Sequence, residues 1–332
     1  MVAMEQVKLA VIGAGPAGIA TAVEAKEANI GPVMVLEKKG HICDTIESLY
    51  PAGKRVDPVH RKVKVEPIGK LSFNTETREA FLDRMKKVVR ENDLDIRYWN
   101  EAQDVIRREE NFHIRTGGGL EVQAPIVVMA IGIFGKPVKP GYPIPKAVKD
   151  KIYYSLPETP IKKRKILVVG GGDTAAEIAC FLSKHNDVTL SYRRPEFFRL
   201  NEINICNVNE CVRRGTINTM MATDIKGLEP QGDKVLVNFK DGRNIDFDAV
   251  FYCLGGMTPR KFLEKIGIKF DRNRAVTDEY GETNIPRLFL AGDLVAQKGT
   301  IMAAFNSGKK VIDGILARYG DLLKNQGKGI FT

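Results

Sequence analysis

Little in this chain supports a disulfide scaffold or a metal centre. Its 332 residues include only five cysteines, four histidines and one tryptophan. The cysteines stand at scattered positions in a long chain, which excludes a disulfide framework and suits a reducing compartment. The histidines show no metal-ligand spacing, and no serine–histidine–aspartate arrangement stands out. We therefore predict no metal site and expect the chemistry to come from bound organic cofactors.

The chain also lacks a long apolar run. No stretch reaches the length of a transmembrane helix, and the first apolar run leads directly into Gly13, with no signal-peptide cleavage site. These absences predict a cytoplasmic protein without a membrane span. Its net charge of +10 favours acidic partners. No nucleic-acid-binding module surrounds the dispersed basic residues, so we predict no nucleic-acid partner, while an acidic protein or an anionic lipid stays open.

Two glycine-rich fingerprints carry the main functional signal. Each follows an apolar β-branched run and opens a segment with helical spacing, which is the context of a dinucleotide site. Their glycines permit a tight turn, close approach of a pyrophosphate and close helix–strand packing, and the helix N-terminus attracts the phosphates. The first copy contains Gly13, Gly15 and Gly18. The second contains Gly170, Gly172, Asp173, Thr174 and Ala175. Two copies predict two bound dinucleotides.

The residue that ends the second strand of each unit distinguishes the two dinucleotides. In the first unit that residue is Glu37, a carboxylate placed to accept hydrogen bonds from an unphosphorylated adenosine ribose, as in FAD. In the second unit the strand ends in Tyr192, Arg193 and Arg194, and Arg199 follows. Guanidinium groups bind a 2′-phosphate in a bidentate manner. The cofactors predicted from these positions are FAD and NADPH.

The order of segments predicts a duplicated α/β architecture. In each half, a glycine fingerprint precedes a small antiparallel meander and a buried strand, and a proline- and glycine-rich crossing separates the halves. The apolar strand at 287–293 must return to the first half to close it. We predict two Rossmann-like, three-layer ββα domains, with the NADPH domain inserted in the FAD domain. The FAD domain comprises residues 1–136 and 257–332, and the NADPH domain comprises residues 137–256.

The series of motifs resembles the low-molecular-weight thioredoxin-reductase family over essentially the whole chain. The resemblance rests on both fingerprints, on Ala130-Ile131-Gly132, on the segment from Cys253 to Gly256 and on Ala291-Gly292-Asp293. It implies that Asp293 binds the FAD ribityl chain and that the next helix points its N-terminus at the flavin. It also implies a homodimer and a domain rotation. Further residues implied at the FAD site are Lys38, Ile131, Gly132, Thr300 and Ile301. Gly255 is implied at the NADPH site.

The chain departs from that family at its redox disulfide. Counting back from the second fingerprint without gaps puts residues 153–156, Tyr-Tyr-Ser-Leu, where the family has Cys-x-x-Cys. Cys206 and Cys211 are five apart in a predicted helix, so their side chains diverge and cannot replace it. Cys43 lies where some single-cysteine flavin oxidoreductases place a redox cysteine. Cys180 and Cys253 are predicted to lie in the core.

Two similar groups of enzymes lack this disulfide. The thioredoxin-reductase-type ferredoxin or flavodoxin NADP reductases stack a tyrosine on the flavin from a Leu-Tyr-Pro segment, and Leu49-Tyr50-Pro51 is similar. The segments 50–57 and 192–204 also resemble the flavodoxin:quinone reductases of epsilon-class bacteria. We predict an FAD-dependent NADPH oxidoreductase that passes electrons to flavodoxin or ferredoxin, with quinones as a further acceptor. One alternative is a thioredoxin or low-molecular-weight disulfide reductase, either similar to the bacillithiol disulfide reductases or of a single-cysteine type that uses Cys43. The other is a redox-sensing flavoprotein without turnover.

Overall fold

The computed structural model describes residues 4–60, 63–133, 136–157, 159–257, 259–272, 274–296 and 299–324. The α-helices are α1 Pro16–Glu27, α2 Asp44–Leu49, α3 Arg78–Glu91, α4 Asp173–Leu182, α5 Glu202–Arg213, α6 Arg260–Ile266 and α7 Ile301–Lys324. Short 3₁₀ helices occupy Lys146–Lys151 and Gly292–Leu294.

The strands are short, and most belong to two parallel sheets and two antiparallel meanders. In chain order, β1 to β25 are Glu5–Gln6, Leu9–Ile12, Val33–Leu36, Arg55–Val56, Val59–His60, Val63–Lys64, Glu76–Thr77, Asp95–Arg97, Ala102–Arg108, Asn111–Thr116, Glu121–Ala124, Ile126–Met129, Lys136–Pro137, Ile152–Tyr153, Lys165–Val169, Asp187–Tyr192, Ile217–Met221, Ile225–Gln231, Lys234–Phe239, Asn244–Phe247, Ala249–Tyr252, Gly256–Met257, Phe270–Asp271, Arg274–Ala275 and Leu288–Leu290.

The chain divides into two compact units. Unit 1 comprises Met1–Asp44, Arg55–Gly135 and Thr258–Thr332, and unit 2 comprises Thr45–Lys54 and Lys136–Met257. The breaks near residues 136 and 257 lie one residue from those predicted for the inserted domain. The segment Thr45–Lys54, which was predicted within the FAD domain, groups with unit 2.

Unit 1 is built around a parallel sheet with strand order β25-β12-β2-β3-β8. Its central strands are buried along their whole length, as expected for strands covered on both faces. The meander β11-β10-β9 covers one face, and Phe112 and Ile114 of β10 pack with Ile12 and Leu36 of the sheet. Strand β25 pairs with β12, which confirms that the strand predicted at 287–293 returns to the first half.

Helices α1 and α7 of unit 1 pack closely together. Gly308 of α7 makes this possible, because a Cβ atom there would lie 2.7 Å from the backbone nitrogen of Thr21 and 3.0 Å from the Ala20 Cβ. Helix α3 begins after Thr77, whose Oγ1 accepts a hydrogen bond from the Ala80 N–H, and it buries Phe81, Leu82 and Met85.

Unit 2 repeats the same plan. Its parallel sheet has strand order β14-β21-β15-β16-β17, and the meander β18-β19-β20 lies on one face. Helices α4 and α5 share an apolar cluster with the other face, whereas Val235, Val237 and Phe239 of the meander pack with Leu167 and Val250 of the sheet. Each unit thus has the layers expected of a three-layer ββα nucleotide-binding domain, and the predicted fold class is confirmed.

Candidate nucleotide-binding sites

The first fingerprint forms a tight turn between β2 and α1. Gly13 has φ +107°, and a Cβ there would lie 2.5 Å from the carbonyl oxygen of Ala130. A Cβ at Gly18 would lie 1.8 Å from the carbonyl oxygen of Gly13, so the helix can pack on the turn only without a side chain. At Gly15, the N-cap of α1, a Cβ would meet nothing within 4 Å. Open space beside a helix N-terminus fits a pyrophosphate.

Glu37 immediately follows β3 and is buried. Its Oε2 accepts a hydrogen bond from the Ala14 N–H at 2.8 Å, and its Oε1 accepts one from the Lys39 N–H at 2.9 Å. The carboxylate is therefore fixed beside the fingerprint turn, where it is placed to receive ribose hydroxyl groups. Lys38, which lies between Glu37 and Lys39 in the chain, is exposed.

The residues predicted for the flavin end come from three parts of unit 1. Ile131 and Gly132 follow β12, with Gly132 at φ +62°. Asp293 lies in the short 3₁₀ helix, and burial raises the pKa of its carboxyl group. A Cβ at Gly299 would lie 2.4 Å from Asp293 Oδ1, so Asp293 adjoins the segment that enters α7.

Helix α7 begins directly after this segment. The Thr300 Oγ1 accepts a hydrogen bond from the Ala303 N–H at 3.0 Å, and the Thr300 carbonyl accepts one from the Ala304 N–H at 2.9 Å. Thr300 therefore caps the helix that Ile301 opens. The structure places Asp293 close to the entry of this helix, and a role of both at the flavin stays a prediction.

Cys43 lies beside the first fingerprint. It is 1% exposed, its backbone is left-handed with φ +55°, and its N–H donates to the Ala14 carbonyl at 3.0 Å. The thiol is therefore part of the packed interior next to the turn, and a disulfide substrate has no direct access to it in this conformation.

The second fingerprint forms a similar tight turn between β15 and α4. Gly170 has φ +155°, and a Cβ there would lie 2.5 Å from the carbonyl oxygen of Cys253 and 3.0 Å from the Ala175 Cβ. At Gly172, the N-cap of α4, a Cβ would again meet nothing within 4 Å. The space needed by a second pyrophosphate is present. Thr174, in the first turn of α4, is half-buried.

Asp173, the first residue of α4, contacts the start of α5. Its Oδ1 accepts a hydrogen bond from the Asn201 N–H at 2.8 Å and another from Asn204 Nδ2 at 2.9 Å. The Asn201 side chain in turn caps α5 by accepting the Asn204 N–H. In this structure the carboxylate predicted at the NADPH site orders the loop that carries the arginines.

Aromatic rings organise the arginine cluster after β16. Tyr192 is buried; its ring lies against Gly171, where a Cβ would lie 2.2 Å from Cε2, and it stacks on Phe197. Phe198 is 50% exposed, and the guanidinium carbons of Arg194 and Arg199 lie 4.3 and 5.2 Å from its ring centroid. We call Phe198 with these two arginines the arginine platform.

Phe198 was not predicted as a site residue, although an aromatic residue between two arginines is a signal that could have indicated it. Arg193 is exposed beside the platform. Gly255 follows β21 with φ +94°, and its carbonyl accepts the Val138 N–H at 2.9 Å.

Lys54 connects the segment Thr45–Lys54 to helix α4 of unit 2. The Lys54 Nζ donates to Glu177 Oε2 of α4 at 2.6 Å and lies 3.5 Å from the ring centroid of Tyr50. Glu177 also accepts a hydrogen bond from Asn204 Nδ2 at 3.2 Å. Tyr50, the predicted flavin-stacking residue, is thus linked to the fingerprint helix of the second site.

The remaining cysteines form no disulfide. Cys206 of α5 is exposed, whereas Cys211 packs with Cys180 of α4 against the apolar cluster, so the two α5 thiols diverge as predicted. Burial and the neighbouring Cys211 raise the pKa of Cys180 to about 12, and burial raises the pKa of Cys253 to about 12. Both thiols stay protonated at neutral pH.

Two classes of feature are absent from the part of the chain that the structure describes. Its histidine, cysteine, aspartate and glutamate side chains form no cluster suited to a metal ion. Within those same residues, no helix has both the length and the apolar character needed to cross a membrane.

Known proteins share this fold and sequence pattern. A ferredoxin–NADP reductase of Ignicoccus hospitalis is 25% identical over 314 residues, which cover 90% of this chain and 93% of that protein. The bacilliredoxin reductase Bdr of Bacillus subtilis is 25% identical over 88% of this chain and 91% of its own length. A solved bacillithiol disulfide reductase Bdr from Bacillus cereus has a TM-score of 0.80 at 23% identity, covering 95% of this chain and all of that one.

The family comparison is consistent with both nucleotide sites. The family model described as pyridine nucleotide-disulphide oxidoreductase matches residues 10–292, which include both fingerprints. Open space at Gly15 and Gly172 fits two dinucleotide cofactors. The predictions of FAD and NADPH and of a thioredoxin-reductase-like flavoprotein are confirmed at the level of the family. The chain therefore belongs to the pyridine nucleotide-disulphide oxidoreductase family.

Proposed function

We propose that this protein passes electrons from NADPH through FAD to flavodoxin or ferredoxin, with quinones as a further acceptor and without a redox disulfide. The observation that carries the proposal is the packing of residues 153–156, where the thioredoxin reductases that this chain resembles have their cysteine pair. Tyr153 stacks on Phe251 with ring centroids 4.8 Å apart, and Tyr154 lies 6.0 Å from Tyr252. Dithiol exchange requires an attacking thiolate, and this segment supplies none.

Charge supports an acidic protein as the acceptor. The chain carries a net charge of +10, and long-range attraction speeds the association of oppositely charged proteins. Flavodoxins and ferredoxins are acidic carriers. Relatives named ferredoxin–NADP reductase, from Ignicoccus hospitalis and Lactobacillus gasseri, each match along 93% of their own length.

The chain's own residues bind and orient the cofactors. Bound FAD would supply the chemistry of hydride acceptance from NADPH and of onward electron transfer. The Glu37 carboxylate would bind the adenosine ribose, and Asp293 with the N-terminus of α7 would bind the ribityl and flavin end. The arginine platform, together with Arg193, would bind the 2′-phosphate of NADPH. Tyr50 would stack on the flavin ring.

A disulfide reductase is the second candidate. A relative named bacilliredoxin reductase Bdr and the Bdr structures favour it. Such a function would need Cys43 or direct reduction of a substrate disulfide, yet Cys43 is 1% exposed. A flavoprotein that senses redox state without turnover is a third hypothesis. In every case we propose a cytoplasmic homodimer, and light scattering at micromolar concentration tests the dimer.

Anaerobic NADPH oxidation tests the proposal. The purified protein is offered flavodoxin or ferredoxin, and in parallel thioredoxin or a bacillithiol-type disulfide with a thiol reporter, at low and high salt. We expect rapid transfer to the acidic carrier that slows as salt rises, and none to thioredoxin. Cys43→Ser and the exposed control Cys206→Ser should both retain this activity. Disulfide turnover that Cys43→Ser alone abolishes would reject the proposal, and no turnover of any acceptor would favour a sensor.

A further inference from the structure

The single tryptophan of the chain occupies an unusual position in unit 1. Trp99 is 69% exposed, and its backbone is left-handed with φ +59°. Few bulky residues adopt this conformation, and such strain is concentrated at functional sites. The indole ring lies over Gly40, where a Cβ would be only 2.4 Å from Cζ2. A large apolar ring is therefore held open to solvent at a conformational cost.

Backbone contacts fix the turn that carries this ring. The Trp99 N–H donates to the Lys39 carbonyl at 3.1 Å, and the Asn100 N–H donates to the Glu37 carbonyl at 2.8 Å. On the other side of the turn, Thr116 Oγ1 donates to Asn100 Oδ1 at 2.7 Å. Hydrogen bonds on both sides therefore fix the backbone turn that carries the exposed ring.

The same short segment also carries the ribose-binding carboxylate. Glu37 lies three residues before Gly40, over which the indole is held. Tyr98, the residue before Trp99, also lies close to Glu37. Burial, and after it the negative charge of Glu37, raise the pKa of the Tyr98 hydroxyl. A base attached to a ribose that Glu37 binds would lie beside this segment.

We propose that Trp99 is the residue on which the FAD adenine stacks. A planar base on an exposed indole gains stacking energy and covers apolar surface that is otherwise in water. Gly40 provides the room that the indole needs, and the braced turn orients the ring before the cofactor binds. The inference depends on FAD as cofactor and is independent of the electron acceptor.

The choice between FAD and FMN tests this role, because FMN contains the flavin without the adenine. Holoenzyme is equilibrated with mixtures of FAD and FMN, and the bound flavins are separated and quantified. For Trp99→Leu we expect the FMN:FAD ratio at half exchange to fall about tenfold. Trp99→Phe retains an aromatic face and should change the ratio by less than about threefold. Ile106→Ala, an exposed residue of β9, is the matched control and should change nothing.

A purely structural role for Trp99 gives a different result. Loosening the turn would weaken the binding of both flavins together, leaving the ratio unchanged in Trp99→Leu, and that outcome would overturn the proposal. Gly40→Ala provides a second test with the indole still present. Its Cβ would displace the ring, so the ratio should fall as in Trp99→Leu. The rate of FAD loss, measured by exchange against labelled FAD, should rise in both variants and stay unchanged in the Ile106 control.

Discussion

The Glu37 carboxylate accepts a hydrogen bond from the Ala14 N–H at 2.8 Å. The residue proposed to bind the ribose is thereby connected to the turn proposed to receive the pyrophosphate. Two parts of one nucleotide site, 23 positions apart in the chain, hold each other in place. Changing either part should therefore affect both cofactor binding and the order of the turn.

Replacing Glu37 by glutamine tests this connection. An amide has one accepting oxygen, whereas Glu37 accepts from both the Ala14 and Lys39 N–H groups, so one of these two donors would face an NH₂ group. We expect a loss of about 1–3 kcal/mol in the free energy of unfolding and a lower FAD content per chain. Urea unfolding and flavin absorbance measure the two effects. Full FAD content in Glu37→Gln would contradict this assignment.

The fingerprint glycines should separate folding from cofactor binding. Gly15→Ala and Gly172→Ala place a methyl group in open space, so we expect both variants to fold normally. The methyl would occupy the pyrophosphate position, so Gly15→Ala should lose FAD, whereas Gly172→Ala should retain FAD and bind NADPH more weakly. Gly13→Ala would clash with Ala130 and should lose more than about 3 kcal/mol of stability. Thermal unfolding, flavin content and NADPH titration distinguish these outcomes.

The arginine platform should control the preference for NADPH over NADH. Arg194→Ala should raise the KM for NADPH at least tenfold and leave the KM for NADH unchanged, because only NADPH carries the 2′-phosphate. Phe198→Leu keeps both arginines but removes the ring under them, so we expect a smaller change in the same direction. Steady-state kinetics with NADPH and with NADH measure the two KM values. Equal changes for NADH and NADPH would indicate damage to the fold instead.

Thiol labelling at pH 8 should follow burial and pKa. Cys206 is exposed and should react with iodoacetamide first, while Cys43 is protected by burial. Burial raises the pKa of Cys180 and Cys253 to about 12, so their reactive thiolate fraction is small at pH 8 and grows about tenfold with each pH unit up to that value. Mass spectrometry of labelled peptides measures the order in which the cysteines react. Rapid labelling of Cys43 in the native protein would show that this thiol can reach solvent.

The ion pair between Lys54 and Glu177 should stabilise the segment Thr45–Lys54 on unit 2. Both side chains are largely buried, at 21% and 16% exposure, so the pair is worth more than a surface salt bridge. In a double-mutant cycle of Lys54→Met and Glu177→Gln we expect a coupling of about 1–2 kcal/mol in the free energy of unfolding. Arg213 and Glu210 of α5 form an exposed pair that serves as the control, and its cycle should give a coupling below about 0.5 kcal/mol.

Local patterns predicted most of the fold and the backbone parts of both sites. The fingerprints, the meanders, the returning strand and helix α5 were all recognisable, because turn glycines and apolar periodicity are local properties of a sequence. The contacts of Asp173 with α5 and the link from Lys54 to Glu177 were not predicted. They join side chains from elements that are distant in the chain, and no periodicity encodes such pairs.

The strand order of unit 1 has a consequence for how the protein is made. Its parallel sheet includes β25, Leu288–Leu290, whereas every described strand of unit 2 precedes residue 258. Domains fold as units during synthesis, and the N-terminal part of the chain leaves the ribosome first. We therefore expect unit 2, the proposed NADPH-binding unit, to fold while the ribosome is still translating. Flavin loading would be among the last steps of biogenesis, and a ribosome-stalled chain in which unit 2 has left the exit tunnel but β25 has not would bind NADP⁺ and remain colourless.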